Sequence, residues 1–141
     1  MTHTINADQL LDLARQAADR AYAPYSQFPV GAALITSDGR VFQGANIENA
    51  SYGLGCCAER TAVFQAVLAG ADEVIAIAVW APRAAPCSPC GACRQVLVEW
   101  RPREGDMAVI LEGQEGPIVH TLESLIPYSF GPRDLAMEEP S

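Results

Sequence analysis

The sequence predicts an α/β domain of three layers, α/β/α, built on a mixed sheet of about five strands. Helical and strand periodicities alternate along the second half of the chain, and its two most apolar strands read as covered on both faces, which requires helices above and below the sheet. Length agrees: 141 residues, half of them apolar, suffice for one domain with a real core and not for two ordinary ones. Residues 1–141 are therefore expected to form a single unit.

The elements follow in chain order. Asn6 can cap a helix with Gln9 three residues on, and Leu10, Leu13, Ala14, Ala17, Ala18 and Ala21 make an apolar stripe that stops before Pro24. "VGAALIT" (30–36), the turn "SDGR" and "VFQGAN" (41–46) form a β-hairpin in which Asp38-Gly39 supplies the positive backbone dihedrals. A second helix runs from about Ala58 to Leu68, with Val63, Phe64, Val67 and Leu68 on one face and Gly70 as its stop. "EVIAIAVW" (73–80) is nearly all apolar, as a buried strand must be. After a Pro-rich loop, a third helix runs from about Pro89 to Trp100. "MAVILE" (107–112) repeats the buried-strand signal, and "GPIVHTL" (116–122) suggests a short further strand before a brief helix from Leu122 to Leu125. The last several residues read as a flexible tail. Alternation after the hairpin implies right-handed crossovers, and sites in such sheets form at strand carboxyl ends and at the starts of the helices that follow.

A net charge of −8 provides no basic stripe to neutralise phosphates, so a nucleic-acid partner is not expected. No stretch approaches membrane-spanning length, and the N-terminus has no basic segment followed by a long apolar run. A soluble, cytoplasmic protein without a membrane partner is the expectation. Five cysteines, an odd number clustered in two places, point in a reducing compartment to metal or catalysis before disulfides.

Both clusters fall at helix starts. "SPCGAC" puts Ser88 at the N-cap and Pro89 at the first helical position, leaving Cys90 and Cys93 in the first turn, about 60° apart around the axis. Alone, this C-x-x-C also reads as two buried small hydrophobes or a redox pair. Cys57 adds a third soft ligand at another helix start, where the positive helix end favours the thiolate that zinc requires. Cys56 and Cys57 are neighbours whose side chains point apart, so one of them joins. Cys87 remains an alternative fourth ligand of a closed structural site, although it precedes the proposed cap. Three protein ligands leave the fourth zinc position for water, the catalytic arrangement. Within regular helix Cys57 and Glu59 would face nearly opposite ways, so "CAE" is expected to straddle the helix start. A first-turn Glu also complements the helix dipole, but beside an open zinc site a carboxylate that is not a ligand is the natural proton carrier.

"CAE" followed by "PCGAC" resembles the three-cysteine form of the zinc deaminase signature. More closely, "YAPYSQFPVGAAL", "NIENASYG", "CAERTAVFQAV" and "SPCGACRQV" together resemble the small, homotetrameric cytidine deaminases, in order and spacing from Tyr22 to about Phe130. The resemblance implies a cytidine deaminase-like fold, a Zn²⁺ cofactor on Cys57, Cys90 and Cys93, and Glu59 as the proton carrier. It implies hydrolytic deamination of cytidine and deoxycytidine to uridine and deoxyuridine plus ammonia, as in pyrimidine salvage. Arg60 resembles the arginine that draws charge from the thiolates. Asn46 and Glu48 resemble the residues that bind ribose hydroxyls, and Phe28 the one that packs on the pyrimidine. Ala58 would offer its backbone N–H to the base carbonyl, and Tyr52 would help build the pocket or an interface. "IPYSFGPRDL" (126–135) resembles the segment whose aromatic, here Phe130, closes a neighbouring subunit's site in a homotetramer. Cys56 and Cys87 stand where the family does not require cysteine and are read as non-ligands. Two other readings keep the zinc and change its use: a deaminase of another aminopyrimidine nucleoside, such as a nucleoside antibiotic, or a structural zinc protein without activity.

Overall fold

Helices on each face of the sheet reach the hairpin through glycine. The computed structural model describes residues 5–135, and its first helix, α1 (Ala7–Ala18), begins with the expected capping box between Asn6 and Gln9. It buries Leu10, Leu11, Ala14, Ala17 and Ala18. The hairpin is β1 (Gly31–Thr36) and β2 (Val41–Ala45); only Gly39 of its turn has a positive φ, 88°, so Asp38 does not share that role. A Cβ on Gly31 would collide with Ala14 O and lie 2.5 Å from Ala18 N, so α1 can sit this close only over glycine.

On the opposite face, α2 (Ala58–Leu68) lies over β2 in the same way. A Cβ on Gly44 would be 2.5 Å from both Ala58 O and Ala62 N. Small residues face that approach, and the expected helix face is corrected in part: Val63 is buried with Ala58, Glu59, Ala62 and Ala66, and Val67 packs partly buried against the core, but Phe64 and Leu68 are turned outward, 48% and 89% exposed. Gly70, at φ 91°, follows the C-cap Ala69 as expected.

The remaining elements are β3 (Val74–Trp80), α3 (Gly91–Glu99), β4 (Ala108–Gly113), β5 (Gly116–Thr121) and α4 (Leu122–Leu125). Short 3-10 turns cover Tyr52–Leu54 and Pro132–Leu135, so Phe130 lies just before the last regular element. The five strands run in the order β2-β1-β3-β4-β5, with β3 and β4 parallel and the other neighbours antiparallel. Alternate residues of β1 serve two cores. Ala32 and Leu34 pack with Ile77, Val79, Val109 and Leu111 beneath α2 and α3, whereas Ala33 and Ile35 join Ala78 and Ile110 beneath α1. The expected tail lies beyond residue 135, outside the described residues.

This order places the site. Because β1 is antiparallel to both β2 and β3, those two strands point the same way and their carboxyl ends leave one edge of the sheet. The chain after β2 leads to α2 and the chain after β3 leads to α3, so both helix starts converge there.

Candidate active site

Both helices begin with a cysteine. Cys57 is the N-cap of α2 (φ −72°, ψ 157°) and Cys90 the N-cap of α3 (φ −68°, ψ 170°). The helix expected to start at Ser88-Pro89 therefore starts two residues later, and Cys90 stands outside the first turn while Cys93 is within it. An extended N-cap swings its side chain away from the helix cylinder, which lets Cys90 and Cys93 converge without sharing a helical face.

The sulfurs of Cys57, Cys90 and Cys93 all lie within 4.8 Å of one another, with Cys57 Sγ 4.0 Å from Cys90 Sγ and Cys90 Sγ 3.5 Å from Cys93 Sγ. Sulfurs bound tetrahedrally at the usual zinc–sulfur length of about 2.3 Å lie about 3.8 Å apart, a spacing these distances bracket. The donor set thus fits Zn²⁺ in number, softness and separation. Neither Cys56 nor Cys87 belongs to a metal-sized cluster among the described residues. Cys56 instead uses its backbone, exchanging two hydrogen bonds of 2.9 Å with Ile47, which sets where Cys57 emerges; Cys87 packs against the core.

Electrostatics at the cluster act oppositely on Cys57 and Cys93. Hydrogen bonding to Cys93, and Arg60 against the opposing effect of burial, bring the Cys57 thiol down to about 5, while bonding to Cys57 and burial push the Cys93 thiol up. Arg60 donates from Nη2 to Cys57 Sγ at 3.5 Å, and its buried Nε has no protein partner. Glu59, the second residue of α2, is only 5% exposed, and burial raises its pKa. The expected straddling of the helix start by "CAE" is what is seen: Cys57 is extended and Glu59 helical. Ala58 is fully buried, and as the first helical residue its N–H has no acceptor within the helix. Thr61 ties this turn to the sheet by donating to Ala45 O at 3.0 Å and Ala58 O at 2.9 Å.

The segment after β2 organises the neighbouring loop. Asn46 Nδ2 donates to Phe28 O and Asn46 Oδ1 accepts from Val30 N, both at 2.9 Å. Glu48 Oε1 accepts from the amides of Tyr25 and Ser26 at 3.0 and 3.1 Å, and its Oε2 from the Ser26 hydroxyl. That hydroxyl holds the Glu48 carboxyl below its ordinary value. Tyr25, Ser26, Glu48, Asn49, Tyr52 and Gly55 line an open cleft of about 260 Å³. Tyr52 is 81% exposed, its ring 6.1 Å from that of Tyr25. A larger cavity, about 420 Å³, lies between the end of α3 and residues 128–134 and contains none of the expected site residues. Phe130 is 60% exposed, with its carbonyl bonded by Gln95 Nε2 at 2.7 Å. Ser26, Thr61 and Arg83, which reaches the Phe28 loop, were not legible beforehand: Thr61 and Arg83 bond main-chain carbonyls, and Ser26 the Glu48 carboxylate, that folding brings near, and no motif spacing signals that.

Residues 4–108 match the family described as the cytidine and deoxycytidylate deaminase zinc-binding region. The chain is 49% identical over 132 residues to a cytidine deaminase of Halalkalibacterium halodurans, covering 93% of this chain and 98% of that one. It is 44% identical over 133 residues to a cytidine deaminase of Sporosarcina psychrophila, covering 94% and 96% respectively. A crystal structure of cytidine deaminase from Burkholderia pseudomallei superposes with a TM-score of 0.80 at 47% identity, over 92% of this chain and all of the other. With the sulfur cluster and the mixed five-stranded sheet already as its sequence motifs imply, the chain belongs to the cytidine deaminase family.

Proposed function

We infer that this protein catalyses the hydrolytic deamination of cytidine and deoxycytidine to uridine and deoxyuridine, releasing ammonia, in pyrimidine salvage. The observation that carries this is a buried carboxylate, Glu59, two residues after a sulfur donor at the start of α2; a site that held metal only for structure would have no use for it. Cys57, Cys90 and Cys93 would hold zinc, which when bound would supply the Lewis acidity that makes water a nucleophile near neutral pH. Glu59 takes a proton from the attacking water and delivers it to the ring nitrogen beside the amino-bearing carbon. The water oxygen forms a bond to that carbon, the carbon–nitrogen bond to the amino group breaks, and Glu59 carries the second proton to the departing ammonia. Arg60, donating to Cys57, offsets the charge of three thiolates.

The substrate would lie against the loop organised by Asn46 and Glu48. Each keeps acceptor capacity beyond its present bonds, which suits ribose hydroxyls. Phe28 would pack on the pyrimidine, Ala58 N–H would meet the base carbonyl, and Tyr52 would wall the cleft. A homotetramer with Phe130 reaching a neighbouring site is supported by outward apolar side chains that one chain leaves uncovered: Tyr52, Leu54, Leu68 and Phe130 are each at least 60% exposed. Sedimentation equilibrium giving one or two chains per particle would exclude it. A single domain in a reducing cytoplasm fits a site made of free thiols, and among the described residues no helix is long and apolar enough to cross a membrane. The test is an absorbance assay with cytidine, deoxycytidine, adenosine, CMP and cytosine in parallel. Turnover is expected for the first two. A protein holding zinc only for structure would turn over none, and a deaminase of other aminopyrimidine nucleosides would leave both cytidines unchanged.

A further inference from the structure

The loop carrying Phe28 is held from three sides, and only two of the holds come from the segment after β2. Glu48 takes the amides of Tyr25 and Ser26, and Asn46 takes Phe28 O and Val30 N. The third hold comes from the connection between β3 and α3. Arg83 donates from Nη1 to Gln27 O at 2.8 Å, and its guanidinium carbon lies 5.8 Å from the centroid of the Phe28 ring. Gln27 has φ 55°, a left-handed conformation that an L side chain adopts only at a cost, so its geometry must be maintained by its neighbours. The Arg83 bond falls on the carbonyl of that strained residue, one peptide before Phe28.

A planar guanidinium over an aromatic face is attracted by the ring quadrupole and leaves the opposite face free. We propose that Arg83 is a positioning residue for the substrate base, acting through Phe28: it fixes the Gln27 carbonyl and one face of the ring, so that the other face is ordered before a pyrimidine arrives. The inference rests on Phe28 packing on the base. Arg83 itself is exposed and belongs to neither the sulfur cluster nor the set of groups that move protons. Ordering the loop in advance lowers the cost of binding and leaves the barrier of the chemical step largely unaltered, so the signature is in KM.

In the zinc-loaded enzyme, Arg83→Ala should raise KM for cytidine about fivefold, with kcat changed by less than about twofold and zinc content unchanged. Arg83→Lys, which keeps the charge but not the planar fork, should recover part of the loss. In a Phe28→Ala background the same Arg83→Ala change should move KM by less than about twofold, since coupling between residues in contact is what a double-mutant cycle reports. Independently of turnover, amide hydrogen exchange in residues 22–30 should quicken in Arg83→Ala while that of α3 stays the same. An unchanged KM, a KM rise of equal size with and without Phe28, or unchanged exchange in residues 22–30 would each overturn the proposal. If Phe28→Ala leaves KM unchanged, the reading of Phe28 fails and the proposal falls with it. If Phe28→Ala raises KM and Arg83→Ala does not, only the role of Arg83 is lost.

Discussion

At the start of α2, Cys57 is the N-cap, Glu59 is buried two residues on, and Arg60 donates to the Cys57 sulfur. At the start of α3, Cys90 is also the N-cap, but Gly91 and Ala92 are exposed, and Arg94 turns away from the sulfurs. Its Nε donates to Pro89 O at 2.7 Å, its Nη1 to Leu125 O at 2.6 Å and its Nη2 to Ser88 Oγ at 2.7 Å. A cysteine cap with an arginine one turn later thus serves two ends. One start directs charge and a carboxylate at the sulfur cluster; the other fastens the cluster's second half to the loop before it and to α4. What differs is the surroundings: α2 lies against β2 over Gly44, burying its first turn, while the first turn of α3 is open on one side.

The largest effect should come from removing the one feature α3 lacks. Glu59→Gln is expected to fold and keep zinc while losing cytidine turnover by about 10³-fold or more, because one carboxylate serves both proton transfers. Near-normal turnover would make the two helix starts equivalent after all. Next come the cysteines, where the starts should behave alike. Elemental analysis of Cys57→Ala and Cys90→Ala should show zinc largely lost, whereas Cys56→Ala and Cys87→Ala should retain about one zinc per chain. Metal loss in either of the latter would redraw the ligand set.

The two arginines should then separate. Arg94→Ala removes charged donors from two carbonyls and a hydroxyl and is expected to cost about 2 kcal/mol of stability, read from denaturant unfolding of the zinc-loaded protein. Arg60→Gln should instead weaken zinc retention or turnover by about 10- to 100-fold, with a smaller loss of stability. Equal stability losses from both would erase the contrast. The smallest effect lies beside α2, in the loop that Glu48 holds. Hydrogen bonding to Ser26 depresses the Glu48 pKa below its ordinary 4.5, so its hold on the loop is complete above that pH and is lost as pH falls through the depressed value. In Ser26→Ala, NMR titration should find the Glu48 pKa returned toward 4.5; an unchanged value would remove Ser26 as the cause.

Much of the framework was legible because its signals are local. Asn6 and Gln9 form the box their spacing implies, α2 has the bounds its apolar run and Gly70 suggest, and both parallel strands lie where continuous apolar runs place them. The failures share a cause. Phe64 and Leu68 looked like core on a helical wheel beside Val63, yet α2 rests on Gly44 through Ala58, Thr61 and Ala62, and in that orientation Val63 is buried while Phe64 and Leu68 face out. Ser88-Pro89 looked like a helix start, but no regular structure forms there and the helix begins after the Cys90 cap.

The sequence by itself determined the chemical inventory: three cysteines and a glutamate at spacings that put them near helix starts, since capping and periodicity depend on residues within one or two turns. Which direction those groups face was decided only by the tertiary structure. It is set by Gly31 and Gly44, which fix how near the helices come, and by side chains that bond distant main-chain groups, as Asn46 does to Phe28 and Val30, Arg83 to Gln27, and Arg94 to Leu125. A hydrogen bond to a carbonyl dozens of residues away leaves no trace in local composition, because every residue carries that carbonyl and only the fold selects which one is near.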